Sequence, residues 1–285
     1  MGGCERGSQG AREVARLGTM IDLPAAGAKL LGGSVQRADA IHGGDLSDVF
    51  RVTLEDGREV IVKGGRSPAV EAAMLRAIVE SGAPAPRVFA ADDTALVMEF
   101  VDAQGGAAWR SLGSELAKLH AAAGHRFGWP EDYAFGPVAI PNRWSDSWPD
   151  FWGEHRLLTH LPHVSADLGK RLVTLSDELG SLLPTRPTAS LLHGDLWSGN
   201  VMFDGGRLAA LIDPACYYGH SEVDFAMLEL FGGPSKDFYT AYGPLEAGRA
   251  DRLPIYQLWP ALVHLRLFGA GYRPFVERLL GAVGF

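Results

Sequence analysis

The chain has 285 residues, of which 47% are hydrophobic, 21% charged and 9% aromatic; this is enough apolar material to bury a core in one large domain or two lobes, and it excludes disorder for most of the chain. The formal charge is −8, spread evenly, so no segment offers the basic stripe of a nucleic-acid binder, and no apolar run approaches the roughly 20 residues of a membrane span. Cys4 and Cys216 are the only cysteines. They form neither a disulfide framework nor a Cys-rich zinc site, so a reduced, cytoplasmic protein is expected.

The opening MGGCERG carries Arg6 where a myristoylation signal needs Ser or Thr, and no apolar h-region follows. Residues 1–19 therefore read as a loose tail or short helix. Apolar alternation at Phe50, Val52 and Leu54, the turn Glu55-Asp56-Gly57 and a β-branched run ending at Lys63 predict a hairpin over 49–63. Val70, Met74, Ala77 and Ile78 predict a helix over about 68–81, stopped by Gly82, Pro84 and Pro86. Short strands follow near 87–90 and 95–100, so the first 100 residues read as a small antiparallel sheet carrying one helix.

From residue 111 the period changes, with Leu112, Leu116 and Leu119 on one helix face. Further helices are expected at about 149–161, 166–183, 222–231, 235–242 and 250–268. The stretch 124–149, dense in Trp, Pro and Gly, reads as an ordered loop. Two apolar runs around Asp204-Gly205-Gly206 predict a second hairpin over 201–213.

The chemistry concentrates in LLHGDLWSGNVMFDGGRLAALIDP, residues 191–214. Phosphoryl transfer of the protein-kinase type needs a carboxylate at the substrate hydroxyl, and an amide oxygen and a second carboxylate on Mg²⁺. Asp195, Asn200 and Asp213 appear in that order, with the hairpin returning Asp213 toward the loop. Asp and Asn are also common turn residues, so the upstream half matters. Gly43, Gly44 and Ser47 precede a strand that turns back to Lys63, and Glu71 lies in the next helix. This is the order of a nucleotide lobe: a Gly-containing loop over phosphates, a strand Lys on them and a helix Glu that positions the Lys. Each alone has a plainer explanation, as a turn, a solvated strand end or a helix-surface charge.

HGDLWSGN (193–200), Asp213-Pro214-Ala215 and YGHSE (218–222) resemble the fructosamine kinase family, or ketosamine 3-kinases, in the aminoglycoside-phosphotransferase-like branch of the kinase fold. LVMEF (96–100), LGSELAKLH (112–120), the IPN, Trp, FW and HRL pattern over 140–157, and FGG (231–233) extend the likeness over about residues 30–280. The resemblance implies an α+β, bilobal, protein-kinase-like fold: an N-terminal ATP-binding lobe over 20–100 and a mainly helical catalytic and substrate lobe over 101–285. It implies ATP-dependent phosphorylation of the sugar 3-hydroxyl of a ketosamine. Asp195 would be the catalytic base, Asn200 and Asp213 the Mg²⁺ ligands, and Lys63 with Glu71 the phosphate-holding pair. Met98 to Val101 would be the hinge, with the backbone around Glu99 and Val101 on adenine.

Trp197 has two readings, a ring packed under the loop or one stacked on the apolar face of a sugar, and the resemblance favours the second. His220 and Glu222 are placed as candidates for the same pocket, although Glu222 also suits a helix N-terminus. Asp224 is expected to accept hydrogen bonds from the loop backbone, His193 to be architectural, and Trp259 and His264 to belong to the core. Where some family members carry a redox-active Cys in the phosphate loop, this chain has Asp45, so a thiol switch is not expected; a monomer or weak dimer is.

Only eight residues separate Asp213 from Glu222, leaving no platform for a peptide substrate. A small hydroxylated metabolite, or a sugar adduct on a protein lysine, fits. The competing readings are an aminoglycoside or other amino-sugar or amino-alcohol kinase and, in another class, a nucleotide-binding pseudokinase scaffold. The complete set of Lys63, Glu71, Asp195, Asn200 and Asp213 argues against a scaffold.

Overall fold

The computed structural model describes residues 21–41, 47–230 and 232–285. The tail, Gly43, Gly44, Asp45 and Phe231 lie outside the described residues. Five strands make the first sheet: β1 (Val35–Ala40), β2 (Val49–Leu54), β3 (Glu59–Lys63), β4 (Val88–Ala91) and β5 (Leu96–Glu99). Their order is β1-β2-β3-β5-β4, and every neighbouring pair is antiparallel.

Side chains alternate across a strand, and here the alternation decides where the chemistry goes. Val60 and Val62 of β3 join Val52, Leu54 and Val97 under one helix, α1 (Leu23–Leu30). Ile61, on the opposite face, joins Leu96 and Met98 under a second, α2 (Pro68–Glu80). Lys63 shares the parity of Ile61, so it faces α2 and meets Glu71. The expectation of one helix in this half is corrected by α1. Its eight residues show little periodicity, but Asp22 caps Ala25 N at 3.1 Å. Gly27 lets it press onto Val62, where a Cβ would lie 2.5 Å from Cγ1.

The remainder is mainly helical: α3 (Trp109–Ala121), α4 (Trp148–Trp152), α5 (Ala166–Leu182), α6 (Glu222–Leu230), α7 (Lys236–Tyr242), α8 (Arg249–Phe268) and α9 (Arg273–Ala282). The helix expected over 149–161 is α4 continued as a wider turn over Gly153–Leu157 and a tighter one over Leu158–His163. The expected loop over 124–149 contains a hairpin, β6 (Tyr133–Phe135) with β7 (Val138–Ile140), turned at Gly136 with φ 51°. Strands of three residues each leave too little alternation to read. The same holds for β8 (Ser190–Leu192) and β11 (Tyr217–Gly219), which pair around the loop that β9 (Val201–Asp204) and β10 (Arg207–Leu211) complete. No helix among the described residues is long and apolar enough to cross a membrane.

The largest apolar cluster runs from Met74 and Ile78 on α2 into the helical half, through Leu112, Leu116 and Leu119 of α3 to Trp148, Trp152 and Tyr256. So α2 belongs to the sheet by one face and to the helical core by another. Gly113 lets α3 and α7 touch: a Cβ there would lie 2.2 Å from the Phe238 carbonyl oxygen. Gly113→Ala must part the two helices, and overpacking of this kind costs about 2–3 kcal/mol. A markedly lower melting temperature is expected, and an unchanged one would contradict this packing.

Candidate active site

The loop that carries Asp195 is hung from Asp224, a fully buried carboxylate at the start of α6. It accepts from His193 N at 2.8 Å, Gly194 N at 2.9 Å and His120 Nε2 at 3.0 Å. Gly194 is in the left-handed region (φ 79°), and a Cβ there would lie 2.0 Å from the Ala215 carbonyl oxygen, so no other residue fits. His193 donates from Nε2 to Ile212 O at 2.9 Å and accepts at Nδ1 from Asp195 N at 3.3 Å. Burial lowers its pKa. Both ring nitrogens are thereby committed to backbone, which makes His193 a brace rather than a proton carrier.

Asn200 closes the loop by donating from Nδ2 to Asp195 O at 2.8 Å and Asp195 Oδ2 at 3.1 Å. Ile212 N donates to Asn200 O at 3.1 Å, which docks the end of the β9–β10 hairpin and sets Asp213 beside it. Asp213 has φ 53°, the one non-glycine among the described residues with positive φ. Strain of this kind persists where surrounding contacts enforce it, and it concentrates at functional sites. Lys63 Nζ donates to Asp213 Oδ1 at 2.8 Å and to Glu71 Oε1 at 2.7 Å. Burial works against the ammonium, but the two carboxylates outweigh it and raise its pKa. Burial also raises Glu71, with Lys63 pulling the other way.

These groups line a cavity of about 1120 Å³ between the sheet and the helical half. Burial at its floor pushes the Asp195 carboxyl up to about 7; the Asn200 bond opposes this, and the charges of Asp213 and Asp224 add to it. Ser47, Met98, Glu99 and Val101, expected at a phosphate loop and hinge, line the same cavity. Asn200 uses its Nδ2 on Asp195, so its amide oxygen is the group left for a ligand. The Asp213 carboxylate lines the same cavity, and an amide oxygen and a carboxylate are hard oxygen donors of the kind that suits Mg²⁺.

A family model for fructosamine kinase matches residues 27–283. The chain belongs to the fructosamine kinase family. A protein of Lactiplantibacillus plantarum described as a probable ketoamine kinase is 34% identical over 268 residues, 86% of this chain and 94% of that one. A chloroplastic protein-ribulosamine 3-kinase of Arabidopsis thaliana is 37% identical over 62% of this chain and 58% of its own length. A crystal structure from Thermobifida fusca, described as a candidate fructosamine-3-kinase, superposes with a TM-score of 0.85 at 32% identity, covering 92% of this chain and 98% of that one.

Within this family member the substrate candidates sort differently from their order in the sequence. Trp197 lines the cavity and is 40% exposed, while its ring also lies on Gly199, where a Cβ would meet it at 2.3 Å. The two readings of Trp197, packing and cavity wall, are thus compatible. His220 and Glu222 do not line the cavity. His220 Nδ1 is 2.7 Å from Tyr256 Oη, and Glu222 takes both Arg252 nitrogens at 2.6 and 2.7 Å. Glu246 completes that cluster, and Arg252 supplies the cation it needs.

Trp259, read as core, is buried in the main apolar cluster and also lines the cavity, and His264, half-buried, lines it together with Pro260, Val263 and Leu267. Their spacing marks one face of α8, a legible signal that does not say whether the face meets core or cavity. Tyr133 and Phe135 of the unforeseen hairpin line it as well.

Burial lowers His220 to about 4 and His160 to about 3. Each therefore takes its proton on unfolding from about pH 6.5 downward, so stability is full above that value and declines as pH falls toward the folded pKa. At pH 5 the loss is about 2 kcal/mol per histidine. The melting temperature is expected to fall between pH 7 and pH 5, and His160→Leu to flatten that slope. An equal slope in the variant would contradict the assignment.

Proposed function

We propose that this protein is an ATP- and Mg²⁺-dependent ketosamine 3-kinase. Residues 20–100 serve as the nucleotide lobe and 101–285 as the catalytic and substrate lobe. The observation that carries the reading is the meeting of Lys63, Glu71, Asp195, Asn200 and Asp213 in one cavity of a chain matched over residues 27–283 by the fructosamine kinase model. The names of the relatives, ketoamine kinase and protein-ribulosamine 3-kinase, support a sugar joined to an amine as the acceptor. They favour it over an aminoglycoside.

Transfer of a phosphoryl group through a loose transition state leaves the protein mainly positioning and electrostatics to supply. Lys63, held by Glu71, is placed to take phosphate oxygens. Asn200 Oδ1 and Asp213 would hold the divalent cation, which when bound neutralises charge on the transferring group. Asp195 orients the sugar 3-hydroxyl and accepts its proton. A carboxyl whose pKa burial has raised toward neutrality is a better matched base than one near 4. Trp197 offers an aromatic face to the sugar. Ser47 would lie beside the phosphates of a bound nucleotide, and Met98, Glu99 and Val101, which line the same cavity, would border its adenine. The cavity has room for both a nucleotide and a small adduct, whether free or carried on a protein lysine.

The test is Mg²⁺-dependent ADP release with a fructosyl-amine, a ribulosyl-amine and an aminoglycoside, with the phosphorylated position checked on the product. Turnover of a ketosamine is expected, falling about 10²–10⁴-fold in Asp195→Asn while MgATP still binds. Turnover of the aminoglycoside alone, or full activity in the variant, would overturn the reading.

A further inference from the structure

We infer that Tyr133 is a positioning residue for phosphoryl transfer, acting from the substrate lobe on the nucleotide side through Glu71. The inference rests on the kinase reading above and assigns a role to a residue outside the expected constellation.

Glu71 is buried, and its two carboxylate oxygens have different keepers. Lys63 donates to Oε1 at 2.7 Å, and Tyr133 Oη donates to Oε2 at 3.2 Å. The three residues come from three elements: Lys63 ends β3, Glu71 lies in α2 and Tyr133 opens β6 in the helical half of the chain. Without the phenol hydroxyl, a buried carboxylate oxygen would lose its partner, which is costly in such surroundings. The carboxylate would then be free to turn away from Lys63. Lys63 also has Asp213 at 2.8 Å, so a loosened Glu71 would let the ammonium drift toward Asp213 and away from phosphate.

The hairpin that presents Tyr133 is fixed at its base. Arg156, fully buried, donates to Pro141 O at 2.7 Å and to Asn142 Oδ1 at 2.8 Å. Asn142 N in turn donates to Asp132 Oδ1 at 2.8 Å, next to Tyr133. At its tip, Phe135 packs against Tyr133 and Trp259, with ring centroids 6.3 and 6.0 Å apart. Phe135 and Trp259 both line the cavity. One braced element therefore lines the cavity with its tip and meets the lysine–glutamate pair with its first residue.

The experiment is a cycle of Tyr133→Phe, Glu71→Ala and the double variant. It is read by calorimetric MgATP affinity without sugar, then by steady-state kinetics with a ketosamine. Tyr133→Phe keeps the ring and is expected to fold, melting modestly below wild type because one buried carboxylate oxygen loses its partner. It should weaken MgATP binding and kcat/KM for ATP about threefold to tenfold, the range of the net contribution of one ordinary hydrogen bond. KM for the ketosamine at saturating ATP should stay unchanged. In the Glu71→Ala background the same substitution should change nothing. An equal loss in both backgrounds, a shift confined to the ketosamine KM, or no loss while wild type binds MgATP would overturn the assignment alone. Failure of wild type to bind MgATP would overturn it together with the kinase reading.

Discussion

One ammonium between two carboxylates organises the molecule. Lys63 Nζ, nearly inaccessible, stands 2.7 Å from Glu71 and 2.8 Å from Asp213, and it connects three elements far apart in sequence. A charge buried this deeply is tolerated only when paired and hydrogen-bonded. The arrangement is therefore mutually conditional: the sheet must present Lys63 on the face of α2, and α2 must bring Glu71 to it. The β9–β10 hairpin must return Asp213, even at the cost of a left-handed backbone. The parity of β3 and the double docking of α2 make these conditions compatible.

Around that pair, carboxylates of one chemistry have been given different tasks by their surroundings. Asp224 is saturated by two backbone N–H groups and an imidazole, so it can shape the loop but has little capacity left for a reacting group. The Asp195 carboxylate accepts a hydrogen bond from the Asn200 amide, and burial pushes its pKa up to about 7. Such divergent surroundings, one carboxylate saturated by the loop backbone and its neighbour pushed toward neutrality, are how an acid-rich site can separate the roles of its carboxylates.

What the sequence made legible follows from how much signal each element carries. Helices with sustained leucine spacing, such as Leu112, Leu116 and Leu119, and hairpins flanked by Asp-Gly turns were readable, because their period and turn chemistry are local. So was the order of Lys63, Glu71, Asp195, Asn200 and Asp213. The helix Leu23–Leu30 and the three-residue strands Tyr133–Phe135 and Val138–Ile140 were not, since they are too short to show a period and are held by tertiary contacts. The pocket was harder still. His220 and Glu222 follow Asp213 closely in sequence yet turn into an ion-pair cluster, whereas Trp259 and His264, far along the chain, reach the cavity on a helix face. Which face meets a cavity is decided by packing across the molecule, and no local pattern carries that information.

The account stands or falls on Lys63, and Lys63→Met tests it most directly because it keeps the length of the side chain and removes the charge. Breaking a buried pair by deleting one partner costs about 3–5 kcal/mol. The unliganded variant should therefore melt well below wild type, and calorimetry should show MgATP binding lost. A variant that melts with wild type and still binds MgATP would contradict the claim that this ammonium holds the fold and the site together.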